Sequence, residues 1–406
     1  MTPPRADVVV VGGGIAGAAV AIDLASKGVA VVVLEGRAED APIEGNVALT
    51  PHAIDALTRL DALPESNHMV TGVRVLAHGR STEIPFPESL TGATVARRDL
   101  MRSLADSAVA AGVDWRWSTS ATTPILDDGT PIGFETEDGQ VGFKFAAIAD
   151  GSLSHIGRKL GTSRRRTRPQ GIAAAKTVPS EASDRSWLDV AIDLHDGRGE
   201  TVPGMAWVFP TGTADIDMGV GVLSTYRDSD SVIISDLLDH WCEHLPGHWN
   251  VDPDDITNAP VIAGRVPLGD SVWPRTGPNW LAIGDAVAMT SPLNGAGAAA
   301  ALGTARLAVG PIVAGLRNND GLALRRYEML LDEAYGDQLR IARLVARGLA
   351  NPRFASTLTR VAVWTEGNLD LAMRLATSHG RSDRTARIER VVGQLARLVP
   401  EPPEHH

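Results

Sequence analysis

The apolar positions change period along the chain, and the period sorts it into distinct textures. Residues 8–11 are an unbroken valine run, the pattern of a strand buried on both faces. A turn follows, Gly12-Gly13-Gly14-Ile15-Ala16-Gly17, then helical spacing over 18–27, Gly28 at an expected left-handed cap, and a second buried run over 29–34 ending at Glu35. This predicts a strand–helix–strand unit of the parallel-sheet kind. Thr50-Pro51 predicts a helix start, with Thr50 as N-cap, Pro51 at the first helical position, and Ile54, Leu57 and Leu60 on one face. Residues 72–86 alternate as strands, and 97–111 carry an amphipathic helix with Leu100, Leu104 and Ala108 in register. Residues 132–145 read as a hairpin turning at Asp138-Gly139, and 146–149 as a further strand entering Asp150-Gly151.

From about residue 170 to 262 the texture is that of an antiparallel sheet. Alternating segments lie over 188–194, 205–209 and 216–223, and one helix is expected over 232–245. Six of the nine tryptophans fall here or just beyond: Trp187, Trp207, Trp241, Trp249, Trp273 and Trp280. They fit either a core of large side chains or an aromatic-walled pocket for a bulky apolar ligand. Residues 281–284 return to the parallel-strand texture and a long helix follows. After residue 320 three helices are expected, broken near Pro352 and Gly380. The apolar window over 295–316, interrupted by Arg306, is rich in Ala and Gly and reads as a buried core helix rather than a membrane span.

Composition narrows the classes. The chain has 406 residues and a net charge of −11. Without a basic cluster, that balance argues against nucleic acid as a ligand. A single cysteine, Cys242, can build neither an internal disulfide nor a thiolate metal cage, which fits a cytoplasmic protein. The N-terminal residues lack the pattern of a cleaved signal peptide. His240-x-x-Glu243-His244 matches an inverted zinc-protease pattern, but it sits in a helix of the sheet region, and no metal is expected.

Gly12-x-Gly14-x-x-Gly17, between a strand and a helix, is the dinucleotide fingerprint in its proper setting. Gly12 permits the tight turn, Gly14 admits a pyrophosphate to the backbone, and Gly17 lets helix and sheet pack closely. Ala16 lies within the turn, and the helix N-terminus offers free N–H groups to the anion. Glu35 is placed to accept from ribose hydroxyls, with Gly36 and Arg37 beside it.

Two further motifs, Ala149-Asp150-Gly151 and Leu281-Ala282-Ile283-Gly284-Asp285-Ala286, the latter followed by Pro292, Gly295 and Gly297, resemble those of the flavoprotein monooxygenase superfamily typified by para-hydroxybenzoate hydroxylase. The three motifs stand in the family's order over about 300 residues. The resemblance implies FAD, with Asp285 at its ribityl chain and Asp150 among its contacts. Pro292, Gly295, Ala296 and Gly297 would bring a helix N-terminus to the flavin, and Arg97 is its arginine contact, ahead of Arg98.

The segment Met205-Ala206-Trp207-Val208-Phe209-Pro210 and the loop Pro42-x-Glu44-Gly45-Asn46 resemble the geranylgeranyl reductase branch more closely. Glu44 stands where that branch has a cysteine, and Met205 where it has a tyrosine. The implied fold is α/β: a Rossmann-type FAD-binding domain (1–71, 97–169, 263–318), an interleaved antiparallel-sheet substrate domain (72–96, 170–262), and a helical C-terminal segment (319–403). Glu44, His52, Trp207 and Arg265 are the candidate catalytic residues.

The expected activity is that of an FAD-dependent monooxygenase acting on a bulky apolar polyketide or terpenoid. Reduction of isoprenoid double bonds is the alternative, followed by halogenation or a non-redox cyclisation. With no second glycine fingerprint in the sequence, electrons are expected from transiently docked NAD(P)H or from a partner flavin reductase. The arginines at 384, 387, 390 and 397, interleaved with apolar residues over 383–399, suit packing on the body or a peripheral membrane surface.

Overall fold

A computed structural model of the protein describes residues 5–87, 90–165, 168–223, 232–293, 295–349 and 351. The helices expected beyond residue 351, including the arginine-bearing segment 383–399, lie outside the described residues.

The first sheet has seven strands. They are β1 (Arg5–Val11), β2 (Val31–Leu34), β8 (Asp114–Arg116), β9 (Thr123–Asp127), β10 (Thr130–Thr136), β11 (Gly139–Ile148) and β19 (Trp280–Ala282). The order is β8-β2-β1-β11-β10-β9, with β19 also on β11. Neighbours β8, β2, β1, β11 and β19 run parallel, whereas β10 pairs antiparallel with β11 and β9. The hairpin expected over 132–145 forms from β10 and β11, and β11 runs on unbroken into the separate strand expected over 146–149, ending at Ile148. Its start pairs with β10 and its end with β19, because Val141 to Ile148 keep a nearly continuous buried apolar run. Helix α1 (Ile15–Ala25) packs between α3 (Arg97–Ala110) and α7 (Gly297–Asn318).

The second large sheet combines β5 (Gly72–Ala77) and β6 (Arg80–Pro85) with β13 (Gln170–Pro179), β14 (Trp187–Ala191), β15 (Gly204–Pro210), β16 (Asp215–Leu223) and β17 (Ile262–Pro267). Its order is β17-β13-β16-β15-β14-β5-β6. Only the β14–β5 pair is parallel, and it is the seam where the early hairpin joins the later strands. Helices α5 (Ile234–Cys242) and α6 (Pro253–Asn258) cover one face, burying Leu237, Leu238, Cys242 and Trp249 against Ala206, Val208, Met218 and Val220. Val190 and Phe209, on the other face, pack with Ala48 and Phe86.

A small sheet of β3 (Asn46–Leu49), β7 (Gly92–Ala96) and β4 (His68–Val70) bridges the two large ones. Strands β12 (Ser163–Arg164) and β18 (Val272–Trp273) form a short ladder at the side. Helix α2 (Pro51–Arg59) starts as its sequence requires, with Thr50 Oγ1 accepting the Ala53 N–H. The short α4 (His155–Lys159) follows the Asp150-Gly151 turn, and α8 (Arg325–Leu349) packs on α7.

Helix α7 is, among the described residues, the one long and apolar enough to cross a membrane, and 56% of its apolar window is buried inside the protein. It behaves as a core helix. Tyr327 of α8 is fully buried and donates to the Ala282 carbonyl at 3.0 Å, tying α8 to the end of β19. Replacing it by Phe leaves that carbonyl unsatisfied. Tyr327→Phe is expected to lower unfolding free energy by about 1–3 kcal/mol in urea titration, and an unchanged midpoint would remove this tie from the account.

Candidate functional site

The glycine turn is built by backbone contacts that tolerate no side chain. Gly12 has φ +95°, and a Cβ there would lie 2.4 Å from the Ala149 carbonyl oxygen. A Cβ on Gly17 would lie 1.9 Å from the Gly12 carbonyl oxygen. Gly14, the N-cap of α1, has open space around its missing side chain. The first turn of α1 carries no acidic residue and no side-chain cap, so its N–H groups are available to an anion.

Glu35 at the end of β2 reaches back to this turn. Its Oε2 accepts the Gly13 N–H at 2.7 Å, and its Oε1 accepts the backbone and side-chain N–H groups of Arg37, both at 2.9 Å. Burial pushes the Glu35 carboxyl up, but Arg37 and the Gly13 N–H outweigh it and hold it below the usual range. A third Arg37 bond, from Nη2 to Oε2 at 3.2 Å, occupies the last acceptor site, so a ribose hydroxyl would take the place of an Arg37 contact. Gly36 is exposed between them. The Trp115 ring covers Gly13, and its Nε1 is buried without a partner.

The other two motifs close on the same turn. Asp150 follows β11 directly behind Gly12, and its Oδ2 accepts the Ile156 N–H at 2.8 Å. Its Oδ1 is buried and makes no well-formed hydrogen bond. Burial pushes its carboxyl up, while the Ser154 hydroxyl and the Ile156 N–H pull it back. Gly284 has φ +62°, and a Cβ there would lie 2.7 Å from the Ala16 side chain. The Gly284 N–H is held by Thr304 Oγ1 of α7 at 2.9 Å. Asp285 is therefore set beside the N-terminus of α1. Pro292 is buried, Gly295 is exposed with φ +62°, and α7 opens at Gly297 with Ala296 as a cap that has no side-chain bond.

The second sheet brings its own polar group, one that sequence inspection missed. Asp217 of β16 is buried on the face that meets the 42–46 loop. Its Oδ1 accepts from Trp207 Nε1 at 3.1 Å, and its Oδ2 from the Asn46 N–H at 3.3 Å. Burial pushes the Asp217 carboxyl up, with Trp207, Asn46 and the charge of Arg97 opposing. Burial also pushes Asp285 up, with Arg97 again opposing. Arg97, whose N–H bonds the Gly45 carbonyl at 2.9 Å, thus stands electrostatically between a carboxyl of each lobe. The available signal for Asp217 was an acid inside an otherwise apolar alternating strand, Ile216-Asp217-Met218-Gly219-Val220.

Trp207 lies on this same face, stacked with Phe209 at 6.0 Å. The remaining tryptophans do not wall one pocket. Trp249 is buried on the α5 side and donates to Asp189, Trp280 is in the first-lobe core, and Trp273 is exposed with Arg165 and Arg275 over its ring. Glu44 is exposed on its loop, and His52 is exposed at the second position of α2. Arg265, opposite Ile172 in the β13–β17 pair, is exposed on the face away from Trp207; its neighbour Ile262 lies on the near face, 3.6 Å from the Cβ position of Gly45. The structure therefore gathers Trp207 with Asn46, Asp217 and Arg97, and does not bring Arg265 to them. Cys242 is buried in α5 with its thiol pushed up to about 12 by burial.

The residues fit a dinucleotide with a flavin. The open first turn of α1, the orphaned Asp150 Oδ1, and Asp285, whose carboxylate has no hydrogen bond among the described residues, are groups that a phosphate-bearing and hydroxyl-bearing ligand would satisfy.

Comparison with known proteins agrees. The FAD binding domain family model matches residues 5–215. Menaquinone reductase of Mycobacterium tuberculosis is 32% identical, covering 98% of this chain and 98% of its own length. Digeranylgeranylglycerophospholipid reductase 1 of Methanopyrus kandleri is 29% identical over 84% of this chain and 90% of its own length. A geranylgeranyl bacteriochlorophyll reductase-like protein from Thermoplasma acidophilum has the same fold, with a TM-score of 0.76 at 20% identity, covering 96% of this chain and 99% of that one.

The carboxyls set the pH behaviour of the flavin-free protein. Asp150, Asp217 and Asp285 hold protons in the fold that the unfolded chain releases from about its ordinary 3.8 upward. Their contribution to stability is therefore full at low pH and is lost as pH rises through the raised values, whereas that of Glu35 is lost as pH falls through its lowered value. Urea midpoints measured across this range should fall less steeply with pH in Asp285→Asn than in the parent, and parallel profiles would contradict the assignment.

Proposed function

The chain belongs to the FAD binding domain family and is an FAD-dependent oxidoreductase, and from that premise we propose that it reduces a carbon–carbon double bond in the polyprenyl chain of an isoprenoid lipid. The observation that carries this reading is the match over nearly the whole length to a menaquinone reductase, joined by one to a digeranylgeranylglycerophospholipid reductase. What those two substrates have in common chemically is the polyprenyl chain. Oxygenation, the first expectation from the sequence, is represented by a solved structure of a probable FAD-dependent monooxygenase from Pseudomonas aeruginosa, whose 17% identity supports the fold and not the reaction.

In this reading Gly12, Gly14, Ala16 and Gly17 hold the pyrophosphate at the open end of α1, and Glu35, Gly36 and Arg37 hold the adenosine side. Asp285 and Arg97 bind the ribityl region, Asp150 backs the turn, and Pro292, Gly295, Ala296 and Gly297 present the start of α7 to the isoalloxazine ring. The three stretches 1–71, 97–169 and 263–318 form this cofactor half, and 72–96 with 170–262 form the substrate half. When bound and reduced, FAD supplies the hydride equivalent, and NAD(P)H or a partner flavin reductase supplies its electrons.

The chain's own residues then orient the lipid and manage the proton. Trp207, Phe209 and Ile262 give the substrate face its apolar surface, and closing that face excludes water. Asp217 fixes the Trp207 indole and the Asn46 loop together. Its burial favours the protonated form, which makes this carboxyl the group on the face suited to keep a proton for the second carbon. Glu44 occupies the loop position of the branch's cysteine, so thiol chemistry has no part here.

Two measurements test this. Asp285→Ala is expected to lower FAD affinity at least about tenfold, the weight of one charge-assisted hydrogen bond, read as the flavin-to-protein absorbance ratio after gel filtration. Stoichiometric flavin in that variant would contradict the cofactor assignment. Anaerobic incubation of the reduced holoenzyme with a menaquinone, and separately with a digeranylgeranyl glycerolipid, should yield product gaining two hydrogens and no oxygen. Product formed only in air and carrying an added oxygen atom would return the reaction to the oxygenases.

A further inference from the structure

Across the second sheet from Trp207 and Asp217, a cavity of about 1060 Å³ opens between the β5–β6 hairpin, β14 and the C-terminal end of α5. Five of the chain's eleven histidines line it: His78, His195, His240, His244 and His248. The flavin chemistry proposed above uses none of them.

We propose that His240, Glu243 and His244 form a three-ligand site for a zinc-type divalent cation at the edge of this cavity, with the remaining coordination position open to it. One donor atom from each of the three lies within 4.8 Å of the others. His240 Nδ1 and Glu243 Oε2 are 3.5 Å apart. Tetrahedral zinc with bonds of about 2.0–2.1 Å sets its donor atoms roughly 3.3 Å apart, so this pair already stands at ligand spacing. The two imidazoles are 4.8 Å apart, centre to centre, and tilted by 58° rather than stacked.

The tautomer of His244 is fixed by its own helix. Its Nδ1 lies 2.9 Å from the His240 carbonyl oxygen, which can only accept, so Nδ1 carries the hydrogen and Nε2 presents its lone pair. That is the arrangement metal-bound histidines use, the second ring nitrogen bonded to a carbonyl. The backbone supports the geometry: after α5 ends at Cys242, Glu243 N–H bonds Asp239 O and His244 N–H bonds Trp241 O, which continues the turn and keeps positions 240, 243 and 244 on one side.

Other groups at the cavity are committed elsewhere. His248 Nε2 is held by Asp189 Oδ2 at 2.9 Å, and Arg74 is shared between Asp189 and Glu83. Cys242 is buried in the core between α5 and the sheet, so no thiolate joins the set. Two imidazoles and a carboxylate with an open position suit zinc above the hard cations magnesium and calcium, which take oxygen ligands.

The test uses the flavin-loaded protein with His405→Ala and His406→Ala in every sample, so that the terminal pair contributes nothing. After equilibrium dialysis against Zn²⁺ alone, the parent should hold one zinc per chain. His240→Ala and the exposed His244→Ala should each weaken binding by at least about tenfold, and Glu243→Gln by less, with flavin content unchanged. Zinc held equally by the parent and the His244→Ala variant, or by neither, would overturn the proposal. A normal urea midpoint for His244→Ala separates loss of a ligand from loss of the fold.

Discussion

Three chain crossings in this protein are too close for any side chain, and the site depends on them. Gly17 lies against the Gly12 carbonyl, Gly12 against the Ala149 carbonyl, and Gly284 against Ala16. Together they draw the ends of β1, β11 and β19 onto the first turn of α1. Segments near residues 12, 150 and 285 thereby become one surface, although more than a hundred residues separate each from the next. A methyl group at Gly17 would have to push the helix off the sheet, and the motifs would part.

Charge then connects the two lobes. Arg97 starts α3, is tied by its backbone to Gly45, and acts on Asp285 of the first lobe and Asp217 of the second. Both carboxyls are driven toward neutrality by burial; the guanidinium opposes this at Asp285, and joins the Trp207 and Asn46 hydrogen bonds in opposing it at Asp217. Keeping ionisable groups where they weaken the fold is the common cost of a working site. Glu35 shows the opposite balance, since the Gly13 N–H and Arg37 outweigh its burial.

Much of the first lobe was legible because its signals are local. The valine run, the glycine spacing and Thr50-Pro51 each dictate backbone geometry within a few residues, and β1, α1, β2 and α2 form accordingly. Features set by distant partners were not. That β11 continues unbroken from hairpin to parallel strand depends on β10 at one end and β19 at the other. The fate of each tryptophan depends on which face of a strand or helix it occupies, and composition says nothing of that. Asp217 was hidden for the same reason: alternation reveals that a position points inward, but not that Asn46 and Trp207 wait there to receive it.

The parallel seam between β5 and β14 has a consequence for synthesis. Arg74 and its partner Asp189 are 115 residues apart. At translation rates of about 5–20 residues per second, the early hairpin exists for roughly 6–23 s before its neighbour has been made. Throughout that interval the β5 edge offers an unfilled hydrogen-bonding row to any passing strand. Arg74, Arg80 and Glu83 along the hairpin set charges on that edge, the kind of side chain that discourages a foreign strand from pairing there.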